Sequence, residues 1–182
     1  MKSEEAILIE ACLKKDQRAM KELYDRYAPS LYGICLRYAH SAEVAKDLLH
    51  DGFIKVFENL KYLHDYSSLY AWMRSIIINT SITMLRNEKY GVETCVDDNV
   101  DLEALAQTNP SYEMIDRLDV HIILEAIQKL SPALRLAFNL CEIEGLSCTE
   151  ASKDAGVSES TIRANLTRAK QQLSIDLIKY LE

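Results

Sequence analysis

Residues 147–173 read SCTEASKDAGVSESTIRANLTRAKQQL and predict two helices joined by a glycine turn. Ser147 and Glu150 have the spacing of a capping box, which marks the start of a short helix. Gly156 ends that helix, and Ser158 is placed to cap a second, longer one. The apolar face of the longer helix consists of Ile162, Leu166, Ala169, Leu173 and Leu177.

A short helix, a glycine turn and a longer helix form a helix-turn-helix arrangement, whose second helix enters the major groove of DNA. The polar side of that helix carries Ser160, Arg163, Ala164, Thr167, Arg168, Lys170 and Gln171. Arginine bonds guanine edges bidentately, and lysine neutralises phosphate. We therefore predict DNA reading by this helix, while a plain surface helix could carry the same residues.

A further helix start is predicted upstream, at Ser131 and Pro132. A serine oxygen caps a free N–H group, and proline is tolerated in the first turn of a helix. This helix is expected to run towards Gly145. Its core-facing stripe consists of Leu134, Ala137, Phe138 and Cys141.

The first half of the chain is also predicted to be helical. From Asp16 to Arg37, apolar residues recur every three or four positions, and Pro29 within this run predicts a kink or a new helix start. A second helix is predicted over residues 42–60. Its inner face consists of Ala45, Leu48, Leu49, Gly52, Phe53, Val56 and Leu60, and its outer face of Asp47, His50, Asp51, Ile54 and Glu58.

The outer face of this helix has three interpretations. His50 and Asp51 could form an acid/base pair, but adjacent helix positions point about 100° apart and do not face each other. A solvated charged face is the default for a surface helix. The third interpretation is an acidic docking face with Ile54 as an apolar anchor. Composition alone does not distinguish this docking face from a solvated charged face.

An aromatic cluster follows, and it leads into another predicted helix that runs to about Arg86. Leu69 and Trp72 are assigned to the apolar face of that helix, and a separate strip consists of Ser75, Asn79, Ile82 and Arg86. Aromatic side chains beside polar and basic residues can stack on unpaired bases. The candidates for such stacking are Tyr62, Tyr66 and Tyr70.

Composition supports an all-α fold class. The chain has 182 residues, only 5 glycines and 3 prolines, and 48% hydrophobic residues, which disfavours turn-rich β folds and disorder. Most of its net charge of −7 lies in one segment, because residues 91–118 include 1 basic and 7 acidic residues. We therefore predict two small helical domains, residues 1–90 and 119–182, joined by a flexible acidic linker, with the second domain a helix-turn-helix.

The sequence predicts a protein of the cytoplasm without metal or other cofactor. The first residues include Glu4 and Glu5 where a secretory signal carries positive charge, and no apolar run is long enough for a bilayer span. The 5 cysteines include no Cys-x-x-Cys pair, which fits reduced thiols. The 4 histidines do not fall at metal-ligand spacing with them.

The ordered set of motifs resembles bacterial RNA polymerase sigma factors, specifically the extracytoplasmic-function (ECF) group of the sigma-70 family. In the first half the resemblance is carried by ELYDRYAPSLY (22–32), DLLHDGFIKVF (47–57) and AWMRSIIIN (71–79). In the second half it is carried by LSP (130–132), EGLS (144–147), GVSESTIR (156–163) and RAK (168–170). The similarity spans residues 17–89 and 121–181.

The resemblance implies three interfaces. Docking on a coiled coil of the large polymerase subunit would use Asp47, His50, Asp51, Ile54 and Glu58. Contact with the minus-ten promoter element, with a base flipped into a pocket near residues 66–69, would use Tyr62, Tyr66, Tyr70, Arg74, Ser75, Asn79 and Arg86. The minus-thirty-five element would be read by Ser160, Arg163, Ala164, Thr167, Arg168 and Lys170, in a domain that also touches the flap of the other large subunit.

The function implied is transcription initiation, in which the chain binds core RNA polymerase, directs it to specific promoters and helps to open the DNA. The alternative is an autonomous helix-turn-helix regulator that acts without polymerase. An enzyme is not expected, since convergent acids, bases or metal ligands are missing beyond His50 and Asp51. An anti-sigma factor is a further candidate partner, and membrane insertion is not expected.

Overall fold

The computed structural model describes residues 4–91 and 119–180, and their regular secondary structure is helical throughout. This confirms the all-α fold class. The chain divides into two compact units between Ser81 and Ile82. The predicted acidic linker over residues 91–118 lies, apart from Gly91, outside the described residues, so its flexibility and both domain boundaries stay predictions.

The first unit begins with helices α1 (Glu4–Leu13) and α2 (Gln17–Tyr38). The Oδ1 atom of Asp16 caps α2 by accepting hydrogen bonds from the backbone N atoms of Arg18 at 2.8 Å and Ala19 at 3.2 Å. Helix α2 runs through Pro29 without ending, so of the two predicted alternatives the new helix start is wrong, and the kink stays a prediction. Proline removes one hydrogen bond, while the buried apolar residues on both sides of it keep the helix packed.

Helix α3 (Ala42–Asn59) confirms the predicted separation of an apolar and a polar face. The Oγ atom of Ser41 caps it by accepting a hydrogen bond from Val44 N at 3.2 Å. All seven residues assigned to the inner face of the predicted helix are buried. Two short 3-10 turns follow, Leu60–Tyr62 and Tyr66–Ser68, and they lead into helix α4 (Leu69–Gly91).

Helices α3 and α4 cross closely at Gly52. A Cβ atom placed on this glycine would lie 2.1 Å from Ile77 Cδ1 and 3.9 Å from Ile77 Cα. One turn further along α3, Lys55 Nζ donates a hydrogen bond to Thr80 Oγ1 at 3.1 Å. Helix α3 and the part of α4 up to Ser81 are therefore packed against each other within the first unit.

The burial of Ile82 differs from the sequence-based expectation. Ile82 was assigned, with Ser75, Asn79 and Arg86, to a strip separate from the apolar face, but it is only 5% exposed, as buried as the core. Leu85 and Ser81 on the same side of α4 are also buried. A helical wheel gives the direction of a side chain but does not show whether other residues cover it. At this end of α4, the side that carries Ile82 is buried in addition to the predicted apolar face.

The second unit contains the end of α4 from Ile82 onward and, within the part of the chain that the structure describes, four further α-helices. They are α5 (Val120–Lys129), α6 (Pro132–Phe138), α7 (Cys148–Ala155) and α8 (Glu159–Ile178). A π-helical turn (Asn139–Ile143) follows α6. Helix α6 begins at Pro132 as predicted, but Ser131 makes no side-chain cap hydrogen bond. The fixed backbone angle of proline suits the first turn and does not depend on that cap.

One buried cluster of this unit lies between α5 and α8. It consists of Ala126, Ile127, Leu130, Ala169, Leu173 and Leu177. Arg135 is also buried, at 2% exposure, and its guanidinium donates hydrogen bonds to the carbonyl oxygens of Ile127, Gln128 and Leu130 at 3.3, 2.7 and 2.7 Å. Arg135 therefore provides hydrogen-bond donors for the carbonyl groups at the C-terminal end of α5.

Candidate functional site

The helix-turn-helix segment has the caps that its sequence predicts. Glu150 N donates a hydrogen bond to Ser147 Oγ at 3.3 Å, and Ser147 N donates to Glu150 Oε2 at 2.9 Å, which completes the capping box. The hydrogen bonds from the Ser147 side chain and backbone lower the pKa of Glu150. Gly156 adopts a left-handed φ of 66°, and Ser158 Oγ accepts from Thr161 N at 3.1 Å. The predicted turn and both helix starts are confirmed.

Helix α8 presents an open depression of about 340 Å³ on its polar side. Its lining consists of Ser160, Arg163, Ala164, Thr167 and Arg168. These are five of the six residues predicted for the minus-thirty-five element, and the sixth, Lys170, lies outside the lining. The small side chain of Ala164 is exposed between the longer ones, so the surface offers both hydrogen-bond donors and a place for an apolar contact.

Acidic residues hold two of the basic side chains of α8. Arg163 Nη2 lies 2.5 Å from Glu159 Oε1, and Thr149 Oγ1 donates to Glu159 Oε2 at 2.8 Å. Lys170 Nζ lies 2.8 Å from Glu142 Oε1. Neither acid was predicted from the sequence to take part in this site. The spacing of four residues between Glu159 and Arg163 could have indicated the first pair, whereas nothing local indicates the second.

The predicted docking face of α3 is exposed along its length. Asp47, His50, Asp51, Ile54 and Glu58 are all exposed. Ile54 keeps 51% of its surface exposed although it is apolar. The imidazole of His50 lies beside the ring of Tyr24, with centroids 6.4 Å apart. The helix thus presents carboxylates around a single exposed isoleucine, a surface that suits a partner with apolar and basic groups.

The predicted aromatic residues of the first unit lie on three successive elements. Tyr62, in the first 3-10 turn, is 60% exposed, and Lys61 Nζ lies 4.9 Å from its ring centroid. Tyr66 begins the second 3-10 turn and is half-buried. Tyr70, in the first turn of α4, is 42% exposed. All three keep part of their surface accessible to a base.

Tyr27 lies beside the predicted minus-ten residues, although its sequence context did not assign it to that site. Its ring stacks with Tyr70, with a centroid distance of 6.3 Å and an interplanar angle of 29°. Its hydroxyl donates a hydrogen bond to Glu5 Oε1 at 2.7 Å. Burial and this hydrogen bond raise the pKa of Tyr27 to about 12. Tyr27 thus lies against Tyr70, and no pattern in the sequence indicates this contact between α2 and α4.

The polar residues predicted for the minus-ten element all lie on α4. Ser75, Asn79 and Arg86 are exposed, and Arg74 is half-buried. Ser75 Oγ donates a hydrogen bond to the carbonyl oxygen of Trp72 at 2.7 Å. Across residues 4–91 and 119–180, no group of three or more His, Cys, Asp or Glu side chains could hold a metal ion. No helix in these ranges is apolar over a length that would span a bilayer.

Two family models match the chain in the order that the resemblance implies. A model described as sigma-70 region 2 matches residues 23–90, and one described as sigma-70, region 4 matches residues 121–173. The chain belongs to the sigma-70 family. It is a sigma factor of the ECF type, which binds core RNA polymerase and directs it to promoters. The autonomous regulator is not favoured, because region 2 accounts for the first unit.

Known relatives of this sigma factor match nearly its whole length. The ECF RNA polymerase sigma-E factor of Haemophilus influenzae is 25% identical over 173 residues, which are 91% of each chain. The protein of the same name from Escherichia coli K12 is 28% identical over 174 residues, 92% of this chain and 91% of the relative. A co-crystal structure of the sigma factor RpoE with the anti-sigma factor NepR from Bartonella quintana is similar at 25% identity and a TM-score of 0.51, covering 87% of this chain and 96% of that one.

Proposed function

We propose that this sigma factor binds core polymerase through the outer face of α3 and reads the two promoter elements through α4 and α8. The observation that carries this assignment is the depression on α8, whose whole lining was predicted for DNA contact. The polymerase forms the phosphodiester bonds, and the chain supplies no catalytic residue of its own. The site of action is the cytoplasm, where polymerase and genome are found.

Run-off transcription with core polymerase on genomic fragments tests the function as a whole. We expect the complete chain to be retained by immobilised core polymerase and to direct discrete transcripts. Failure of retention would refute the proposal. Tight binding of promoter duplex by the chain alone, unchanged by added core polymerase, would instead support the autonomous regulator.

The docking face is tested by Ile54→Ala. Complete burial of an isoleucine side chain stabilises a complex by about 1.5–3 kcal/mol, and Ile54 has about half of its surface left to bury. We therefore expect a loss of polymerase affinity of about four- to tenfold. The matched control is Ile7→Ala on α1, because Ile7 is 59% exposed and lies outside the predicted face. Equal losses in both variants would contradict the assignment.

The minus-ten assignment depends on aromatic surface that a base can stack on. Removal of one stacking ring costs about 1–3 kcal/mol. We expect Tyr62→Ala to weaken binding of the single-stranded minus-ten element by the polymerase complex, and Tyr62→Phe to retain it. Similar binding by wild type and both variants would exclude Tyr62 from the site.

The minus-thirty-five assignment is tested on α8. Arg163→Ala and Arg168→Ala should each cost about 1–3 kcal/mol at the upstream element. Lys179→Ala is the matched control, because Lys179 follows the same helix and lies outside the depression. An upstream footprint that Arg163→Ala and Arg168→Ala leave unchanged would contradict the assignment.

An anti-sigma factor is the partner that we propose for regulation. The similar sigma factor of Bartonella quintana was crystallised with one. The exposed acidic face of α3 offers such a protein the same chemistry that we assign to polymerase docking. Competition between the two for the complete chain is expected, and simultaneous binding would assign the anti-sigma factor a different surface.

A further inference from the structure

Helix α1 packs against the two 3-10 turns that precede α4. It lies outside residues 23–90, which match sigma-70 region 2. Glu5, in the first turn of α1, accepts a hydrogen bond from the Tyr27 hydroxyl at 2.7 Å. The Tyr27 ring in turn stacks with the Tyr70 ring, at a centroid distance of 6.3 Å and an interplanar angle of 29°. Helices α1, α2 and α4 are therefore joined by three side chains in contact.

Contacts within the first unit fix the backbone that carries Tyr70. Asp65 caps the second 3-10 turn, since its Oδ1 atom accepts hydrogen bonds from Ser67 N at 3.0 Å and from Ser67 Oγ at 2.7 Å. Leu69, the residue before Tyr70, is buried. The Tyr70 side chain itself is exposed, and the Tyr27 ring lies against it. The direction of the Tyr70 ring therefore depends on Tyr27 more than on its own backbone.

We propose that Glu5 and Tyr27 are positioning residues for the minus-ten element, because they hold the Tyr70 ring in the orientation in which it stacks on an unpaired base. The proposal rests on the assignment of Tyr70 to the minus-ten element, and it gives α1 a role in promoter binding. A side chain that is immobilised on binding loses conformational entropy, so a ring that is already held binds a base more tightly. The Tyr27 phenol remains a donor at neutral pH, because burial and the hydrogen bond to Glu5 raise its pKa to about 12.

The test measures how tightly the complex of the complete chain with core polymerase binds a fluorescein-labelled single strand, by fluorescence anisotropy. The strand is the minus-ten segment of a promoter that run-off transcription has located. Tyr70→Ala should weaken binding by about 5- to 100-fold, the range for one lost stacking contact with a base. Tyr27→Ala should weaken it by about two- to tenfold, the range for one aromatic pair. The double variant should bind like Tyr70→Ala alone, because Tyr27 acts through Tyr70.

Conservative variants separate the ring of Tyr27 from its hydrogen bond. Tyr27→Phe keeps the stacking ring and removes the hydroxyl, and Glu5→Ala removes the acceptor. Each should weaken strand binding less than Tyr27→Ala does, and the two changes combined should have no larger effect than either one. Glu5→Gln keeps an acceptor oxygen without the negative charge, so it should bind like wild type. Stronger binding by both Glu5 variants would indicate repulsion between Glu5 and phosphate, and it would overturn the proposal.

Tyr32→Ala is the matched control. Tyr32 lies on the same helix as Tyr27 and is half-buried, but its hydroxyl donates to the Ala42 carbonyl oxygen at 3.3 Å, at the start of α3. It should leave strand binding unchanged, and core polymerase should retain every variant like wild type, which excludes unfolding as the cause of a loss. Unchanged binding by Tyr70→Ala would refute its minus-ten assignment and the proposal with it. A loss in Tyr70→Ala without one in Tyr27→Ala, or additive losses in the double variant, would overturn the proposal alone and leave the proposed function intact.

Discussion

Gly52→Ala tests the crossing of α3 and α4. The added Cβ atom would lie 2.1 Å from Ile77 Cδ1 and 3.4 Å from Ile77 Cγ1. Ile77 is fully buried, so its side chain has little room to move away. We therefore expect the substitution to destabilise the first unit, although alanine is a better helix former than glycine.

Two opposing effects set the magnitude. Alanine in place of glycine favours a helix by about 1 kcal/mol, whereas overpacking of a core costs about 1–3 kcal/mol. The expected net loss is about 1 kcal/mol. Ile77→Val removes the clashing Cδ1 atom, and alone it costs about 0.5–1.5 kcal/mol. In the double variant the new methyl group occupies the vacated space, so the double variant should match wild type and the coupling energy should be about 2 kcal/mol.

Urea unfolding followed by tryptophan fluorescence measures the effect, because Trp72 on α4 is the only tryptophan of the chain. Gly33→Ala is the matched control. Gly33 also lies in a helix, and a Cβ there meets nothing within 4 Å, so this substitution should stabilise by up to about 1 kcal/mol. Stabilisation of equal size by Gly52→Ala, or additive effects of Gly52→Ala and Ile77→Val, would refute the reasoning.

Three further predictions concern the second unit. Arg135→Met should lower the free energy of unfolding by about 3 kcal/mol, since it leaves buried carbonyl groups at the end of α5 without their donor; an unchanged chemical midpoint would contradict this. Gly156→Ala should cost about 1–2 kcal/mol in thermal unfolding because residue 156 has a left-handed φ. Ser147→Ala should raise the pKa of Glu150 in an NMR titration. Because the pKa of Glu150 is lowered in the folded state, its ionised carboxylate stabilises that state at pH values above the unfolded-state pKa. This stabilisation is lost as the pH falls through the folded-state pKa. The free energy of unfolding of Ser147→Ala should therefore decrease less in acid than that of the wild type.

Local sequence patterns were sufficient to predict the structure where the interacting residues lie within one helix or one turn. The two faces of α3 follow from 3.6-residue periodicity alone, and the buried and exposed sets are as predicted. The capping box at Ser147 and the left-handed turn at Gly156 depend on residues within one turn of chain. In each case the interacting groups are close in sequence, so their spacing contains the necessary information.

Contacts between distant parts of the chain could not be predicted in this way. Arg135 reads as an ordinary surface arginine, and only the structure shows that it is buried and bonded to the carbonyl groups at the end of α5. Helix α1 was missed because Ile7, Leu8 and Ile9 are consecutive and show no helical period. The stacking of Tyr27 on Tyr70 joins residues that are far apart in the chain.

The acidic net charge of the chain affects how strongly α8 binds DNA before and after the chain has docked on polymerase. Non-specific attraction to DNA increases with the number of phosphates that basic groups neutralise. In this chain Arg163 and Lys170 are paired with Glu159 and Glu142, and the net charge is −7. Exposed ion pairs are worth only about 0–1 kcal/mol, so an adjacent phosphate can replace them. On the proposed assignment, the chain alone is attracted weakly to DNA, and α8 exchanges its internal partners for DNA once docking on polymerase has brought it to the promoter.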